Sequence, residues 1–329
     1  MSEDLPTDAR RYLACPVCAS SELVAGDARL TCAACASSFE IKDGIAILVR
    51  PDSPVLRDEK RRADFWNEGW RMRSSAWLDL DREGLLRVRD EFIRDLKKEA
   101  YPSVTEIGPE TMAGKTFLNI GCVGGQEGLL FAGYGTRYVG VDISFNAAKS
   151  TTELVRRAGF QGYAVLAEAE NLPLQSGTIE YVYSNGVLHH TPNTQDAMDE
   201  VFRVLEPGGG AMIGLYPTRS LHFFTYRVKA FLAGNMTRAA YQKWLHANTE
   251  LEWKTEGLEN QWTKTFTRSE FRAMLGKAGF KDITIRQTYF QLKELPVAGK
   301  LIKRFLPEWI GEMRGGRFGG ILMATCRKT

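Results

Sequence analysis

No run of some 18 or more apolar residues occurs anywhere in the 329-residue chain, so the sequence offers no spanning helix. Its opening residues, Met1 to Pro6, lack the basic segment followed by an apolar one that marks a secretory leader, and the expectation is an untargeted, cytoplasmic chain. A long tail of one charge is also missing. The net charge of +3 is close to balance, so charge alone implies neither polyanion binding nor a strongly acidic partner. Internal repeats and low-complexity segments are absent. The length suffices for one ordinary catalytic domain with a real core and a small appendage, and the composition is that of a soluble globular protein.

What the chain does have is a stretch, Phe117 to Gly125, that runs from an apolar strand into a glycine-rich turn. The apolar residues read as a buried parallel strand, and Gly121, Gly124 and Gly125 permit backbone conformations and close approaches that side chains block. A helix starts at Gln126. A second strand, Thr136 to Asp142, ends in a carboxylate about 20 residues beyond the turn, the offset at which an acid reaches ribose hydroxyls. Alone, a glycine-rich turn is equally a plain tight turn, and the following segments supply the context. Ala164 to Pro173 reads as a third strand ending in Glu168 and Glu170, and Ile179 to His190 as a fourth running into a polar mouth. A helix is expected from Asp196 to Leu205, broken by Glu206 to Gly210, before a fifth strand from Ala211 to Tyr216.

The series LNIGCVGG, VGVDIS, AEAENLP, YSNGVLHHT and VLEPGGG resembles the motif series of class I S-adenosylmethionine-dependent methyltransferases, over about Gly114 to Tyr216. The resemblance implies an α/β fold, Rossmann-like, with a seven-stranded, mostly parallel sheet and helices on both faces. It implies S-adenosylmethionine as cofactor, held by Asn119, Gly121, Cys122, Gly125, Asp142, Ile143, Glu168, Ala169, Asn185 and His189. In such enzymes the positions of Gly121 and Gly125 lie beside the methionine part, that of Asp142 takes the ribose hydroxyls, and those of Glu168 and Ala169 meet the adenine. Asn185 and His189 would line the mouth near the sulfonium. Two positions depart from the pattern. Asn119 stands where the family usually has an acid, and Val123 where it has a glycine.

Four of the six cysteines form two Cys-x-x-Cys pairs, Cys15 with Cys18 and Cys32 with Cys35, thirteen residues apart. Two such knuckles can wrap four thiolates around one zinc, in a segment with too little apolar surface to fold unaided. Disulfides and iron are the other readings. With four thiolates no coordination position stays open, so the site is structural. The segment resembles the zinc ribbon attached to many bacterial methyltransferases, with a hairpin over Leu23 to Leu30 and further strands around the Asp43-Gly44 turn.

The Pro-punctuated stretch Arg50 to Pro54 marks a boundary, giving a zinc-ribbon module and linker at 1–54 and a methyltransferase domain at 55–329. Beyond it, Phe65, Trp66 and Trp70 lie on an expected helix from Arg57 to Arg73, as core or as a cover for the cofactor, with Arg71 and Arg73 near the methionine carboxylate. A charged helix from Gly84 to Ala100 reads as a solvated face. Residues 217–265 carry His222, Phe223, Phe224, Tyr226, Phe231, Tyr241, Trp244, His246, Trp253 and Trp262, an aromatic-rich insertion placed to form a helical lid. Thr267 to Glu270 is a capping box opening a helix that Gly279 ends. Ile283 to Phe290 and Phe318 to Cys326 read as the antiparallel pair that closes the sheet. Lys300, Lys303, Arg304, Arg314 and Arg317 form a modest basic cluster between them.

A methyl group on a sulfonium needs chiefly an acceptor held in line in a dry site. His189 and His190 are the candidate bases for a hydroxyl or a protonated amine; His222 and Tyr216 are weaker alternatives, and Cys122 reads as a packed residue. The expected function is methyl transfer to a hydroxyl, amine or carbon of a small organic acceptor. An RNA methyltransferase gripping its substrate through the ribbon is the alternative. A cofactor-binding scaffold, or sulfonium chemistry without methylation, is the second alternative, motivated by Asn119 and Val123.

Overall fold

The computed structural model describes residues 11–53, 64–68, 76–98, 101–235, 237–249, 262–288 and 319–329. The basic cluster at 300–317, Trp70, Arg71, Arg73, Trp253 and Phe290 lie outside the described residues.

The N-terminal module is an antiparallel sheet of four short strands in sequence order, β1 (Leu23–Gly26), β2 (Arg29–Cys32), β3 (Ser38–Lys42) and β4 (Ile45–Ala46). The expected hairpin is present, with Leu23 opposite Cys32 and Gly26 opposite Arg29. Leu30, Phe39 and Leu48 are buried in the same apolar cluster as Leu118 and Val165 of the following domain. The module therefore packs as a continuation of the larger core. Backbone pairing reinforces it: Ile47 bridges Leu166 in parallel, the Leu48 amide donates to the Leu166 carbonyl at 2.8 Å, and Leu13 bridges Leu174. These bonds cover an edge strand that otherwise exposes unpaired amides and carbonyls. The stretch expected as a linker is a turn in which Arg50 pairs with Asp52.

Helix α1 (Arg82–Lys98) follows, its outer face carrying the pairs Arg87 with Glu83 and Lys98 with Asp95, while Leu85 is buried. The large sheet is then laid down strand by helix. β5 (Thr116–Ile120), α2 (Gln126–Ala132), β6 (Arg137–Asp142), α3 (Phe145–Arg157) and β7 (Gly162–Leu166) come first. β8 (Ile179–Asn185), α4 (Thr194–Val204) and β9 (Leu205–Leu215) complete the parallel part. All five residues of β5 are buried, as expected of a central strand covered on both faces. Ser144 caps α3 by accepting from the Ala147 amide, and Asn193 caps α4 by accepting from the Gln195 amide.

Three further helices, α5 (Leu221–Leu232), α6 (Arg238–Asn248) and α7 (Arg268–Ala278), precede β10 (Lys281–Thr288) and β11 (Ile321–Arg327). The expected capping box opens α7, with Thr267 and Glu270 bonded reciprocally, and Gly279 closes it in a left-handed conformation. Among the described residues the large sheet has seven strands in the order β10, β11, β9, β8, β5, β6, β7. β10 and β11 form the expected antiparallel pair; β11 also runs antiparallel to β9, and the remaining pairs are parallel.

Three local expectations need correction. Glu206 to Gly210 does end the helix, at Val204, but the fifth strand begins before Ala211: Leu205 pairs with Ile179, and residues 206–209 bulge out before Gly210 pairs with Tyr181 and Arg327. The third strand ends at Leu166, its last ladder bond being that of the Ala167 amide to the Asp142 carbonyl at 2.9 Å, and the two acids fall on the loop beyond. His189 and His190 lie past the strand end, in a single tight helical turn, Leu188–His190. Gly186, with φ of 75°, redirects the chain out of β8.

Candidate active site

β5 pairs with β6 on one side and with β8 on the other, so the chain leaves the C-terminal ends of β5 and β8 in opposite directions. A crevice opens at such a switch point. It holds a partly open cleft of the concave kind that takes small molecules. Ile120 and Gly121 come from the end of β5, Val141, Asp142 and Ile143 from β6, and Ala167, Ala169 and Glu170 from the loop after β7. Asn185, Gly186, Val187, His190 and Thr191 form the β8 side, and Trp66 covers one wall.

The loop between β5 and α2 is tight for reasons of packing. At Gly121, with φ of 77°, an added Cβ falls 2.1 Å from Val187 Cγ2. Gly125, with φ of 96°, makes room for Leu154 of α3, whose Cδ1 lies 2.7 Å from the same imagined carbon. Between them Val123 takes φ of 46°, a left-handed conformation that is rare for a β-branched side chain. Its amide donates to Asp142 Oδ2 at 3.2 Å, while the Ser144 amide donates to Oδ1 at 2.8 Å. The Asp142 carboxyl is pushed up to about 6, mainly by burial and against the pull of these amides.

Of the residues expected at the site, Gly121, Asp142, Ile143, Ala169, Asn185 and His190 all line the cleft. Glu168 is partly buried on the adjoining loop, next to Ala169, while Glu170 lines the wall. Gly125 sits behind the loop at the start of α2. Cys122 is fully buried against Ala148 and Ala164, with its thiol pushed well up by burial, so it is a packed residue as expected.

Asn119 lies beneath the loop, fully buried. Its Nδ2 donates to Glu127 Oε2 at 3.1 Å and to the Tyr138 hydroxyl at 3.2 Å, and its Oδ1 has no partner among the described residues. The sequence reading missed Glu127, an acid on the first turn of α2 whose carboxyl is pushed up to about 7, chiefly by burial. The signal was the Gln126-Glu127 pair directly after the turn, eight residues from Asn119.

The two histidines, with ring centroids 4.2 Å apart, differ in access to the cleft. His189 is fully buried, both ring nitrogens lack a hydrogen-bond partner, and its ring packs on Tyr216 at 3.8 Å. Burial pushes it well below the ordinary histidine value, so it stays neutral. His190 reaches the cleft. Its Nδ1 lies 2.7 Å from the Trp262 carbonyl, which can only accept, so Nδ1 carries the proton and Nε2 is the basic nitrogen. The strand-like return at 262–266 holds this turn: the Lys264 amide donates to the His189 carbonyl at 3.0 Å, and Lys264 Nζ to the Thr191 carbonyl at 2.9 Å.

Trp66 stands 5.4 Å from the His190 ring on the helical turn 64–68. Asn67 docks that turn onto the start of α3, accepting from Ser144 Oγ at 2.8 Å and from the Asn146 amide at 3.2 Å. Phe65 is buried beside it. Of the expected aromatic trio, one ring is thus core and one covers the cleft.

In the N-terminal module the four sulfurs of Cys15, Cys18, Cys32 and Cys35 lie within 4.8 Å of one another. None is in a disulfide. No helix among the described residues is long and apolar enough to cross a membrane.

Residues 118–213 match the family model described as a methyltransferase domain. A sterol 4-C-methyltransferase of Caenorhabditis elegans is 28% identical over 223 residues, covering 62% of this chain and 66% of that protein. A 24-methylenesterol C-methyltransferase of Oryza sativa subsp. japonica is 31% identical over 139 residues, covering 41% of this chain and 35% of that protein. The chain thus spans between about a third and two thirds of the length of these relatives. The crystal structure of an S-adenosylmethionine-dependent methyltransferase from Thermotoga maritima aligns with 74% of this chain and 100% of its own, at 17% identity and a TM-score of 0.44.

The buried acids set a pH dependence of stability. Folded-state values of about 7 for Glu127 and about 6 for Asp142 exceed those of an unfolded chain, about 4.3 and about 3.9. The folded protein therefore keeps these protons to higher pH, and stability from both groups is full in acid and lost as pH rises through about 4 to about 7. Glu127→Gln is expected to flatten the upper part of that slope, read from urea midpoints between about pH 5 and about pH 8. A slope unchanged in the variant contradicts the assignment.

Proposed function

We propose that this chain, with a methyltransferase domain at residues 118–213, transfers the methyl group of S-adenosylmethionine to a small organic acceptor. The observation that carries the reading is Asp142: a carboxylate at the end of β6, facing a cleft at the switch point of the sheet, beside the glycine loop after β5. The residues present fit a nucleoside ligand. Asp142 is the acceptor for ribose hydroxyls, Ile143, Glu168 and Ala169 are the residues for the adenine end, and Gly121, Asn185 and His190 stand at the other end. Asn119, Cys122, Gly125 and His189 support that wall from beneath. When bound, the cofactor supplies a methyl group on a sulfonium, an electrophile that needs no activation by the protein.

The chain's own residues then hold the acceptor and keep water out. Trp66 and the aromatic segment around Tyr216 and Phe223, whose rings lie 5.1 Å apart, serve as cover, which is the use assigned to residues 217–265 as a lid. His190 Nε2 is the atom placed to take a proton from a hydroxyl or an ammonium acceptor. A carbon acceptor makes the same demand at the carbon that loses its hydrogen.

The same reading divides the chain into a zinc-ribbon module at 1–54 and the methyltransferase domain at 55–329. For the four cysteines the fit is geometric. The sulfurs of Cys15 and Cys35 lie 3.7 Å apart and those of Cys18 and Cys32 3.6 Å. A tetrahedral zinc with bonds of about 2.3 Å requires sulfurs roughly 3.8 Å apart, whereas a disulfide requires about 2.05 Å. Zinc is therefore the metal proposed, in a closed structural role.

Two measurements test these assignments. Labelled S-adenosylmethionine incubated with the protein and a cell extract should deliver label to the lipid or small-molecule fraction, and Asp142→Asn should reduce transfer at least about tenfold through the lost hydrogen bonds. Label that enters RNA instead overturns the acceptor class, and absence of both transfer and cofactor binding overturns the whole reading. Metal analysis should find one zinc per chain, lost in Cys32→Ser. Chelation should lower the unfolding midpoint, because Cys15 and Cys32 lie in the core shared by module and domain.

A further inference from the structure

The helix after β9 shows an apolar face that nothing in the cleft uses. In α5, Phe224 is 60% exposed, Val228 42%, Phe231 60% and Leu232 78%. Spaced by four, three and one, these side chains form one stripe, and the face toward the protein is made by Phe223 and Ala230, both buried. Four large apolar groups exposed side by side on a twelve-residue helix are not the scattered exposure that any protein surface shows.

The charges on α5 itself are of one sign. At about 100° per residue, Arg227 falls on one flank and Lys229 on the other, and both are exposed. From Pro217 to Thr249 the chain has five Lys or Arg and no Asp or Glu. An apolar stripe bordered by cations is complementary to a surface that is apolar inside and anionic at its rim, which is the chemistry of an anionic lipid bilayer.

Position adds the second half of the argument. Phe223, on the inner face of α5, packs on Tyr216, and the Tyr216 ring lies 5.6 Å from His190 of the cleft wall. Two aromatic rings in series, Phe223 and Tyr216, connect the helix to His190 of the cleft wall.

We propose that α5 docks this protein on an anionic lipid surface, inserting Phe224, Val228, Phe231 and Leu232 below the headgroups with Arg227 and Lys229 among them. The acceptor that the geometry favours is then a lipophilic molecule drawn from that surface; this second statement rests on the methyl-transfer reading, while the docking does not.

Cosedimentation with vesicles tests the docking without cofactor. The protein should bind vesicles of phosphatidylcholine mixed with phosphatidylglycerol, and bind phosphatidylcholine alone more weakly. Added salt should weaken binding to the mixture. Phe224→Ser and Phe231→Ser should each lower partition about tenfold, and Lys229→Gln about fivefold. Both phenylalanines are exposed, so folding should survive, and cofactor titration of each variant verifies it. Equal partition of the wild type and the phenylalanine variants overturns the proposal. So does failure to bind either vesicle. A dimer in light scattering that Phe231→Ser disperses overturns it too, because the stripe is then covered by a second copy. Vesicle binding by a protein that does not take up S-adenosylmethionine supports the docking and removes only the methyl-transfer reading.

Discussion

The carboxylate of Asp142 joins the end of β6 to the loop that leaves β5. It does so through two backbone amides, those of Ser144 and Val123. The second bond holds a β-branched residue in a left-handed conformation, which costs of order 1 kcal/mol or more and persists only where the surroundings over-determine it. Here they do. Gly121 is fixed by Val187 on one side, Gly125 by Leu154 on the other, and Thr151 Oγ1 donates to the Val123 carbonyl at 3.2 Å. The loop is therefore wedged between β8 and α3 with its amide turned toward Asp142. The cleft depends on this bond for one of its walls.

Beneath the wedge lies a second, partly buried acid, Glu127. Asn119 is the penultimate residue of β5, and the carboxyl group it contacts comes from α2, one element later in the chain. The acid absent from the strand is thus matched by an acid on the helix, with Tyr138 and Tyr183 closing the group. Burial raises the carboxyl of Glu127 into the neutral range, and stability and protonation beneath the loop become linked. The opposite side of the site is governed by packing. His189 has no hydrogen-bond partner and serves as a neutral ring against Tyr216, while its neighbour His190 turns its ring to the cleft.

Most of the sheet was legible in the sequence because its signals are local. The buried strand Thr116–Ile120 carries Phe117, Leu118 and Ile120 just before the glycine turn, the helix cap at Thr267 has its donor within three residues, and Asp142 ends a largely apolar strand about 20 residues beyond the turn. The cysteine pairs announced their cluster by spacing. What the sequence did not determine was set by contacts far along the chain. Whether Glu168 or Glu170 faces the cleft depends on where the pairing of β7 with β6 stops, and its last bond is that of the Ala167 amide to the Asp142 carbonyl. The use of Trp66 as a cover depends on Asn67 meeting Ser144 and Asn146, nearly 80 residues away. The adjacent histidines read as one pair, yet in the helical turn after Gly186 only the His190 ring lines the cleft, while His189 is enclosed between it and Tyr216. The glycines of the turn were read as room for a ligand, and two of them are room for Val187 and Leu154.

The most direct test of the central claim is a crystal structure of the protein with S-adenosylhomocysteine, the demethylated cofactor. The account predicts the nucleoside in the cleft, with both ribose hydroxyls on the Asp142 carboxylate, the adenine at Ile143 and Ala169, and the thioether on the side of Asn185 and His190. A nucleoside bound elsewhere, or a cleft in which Asp142 makes no contact with the ribose, would contradict it.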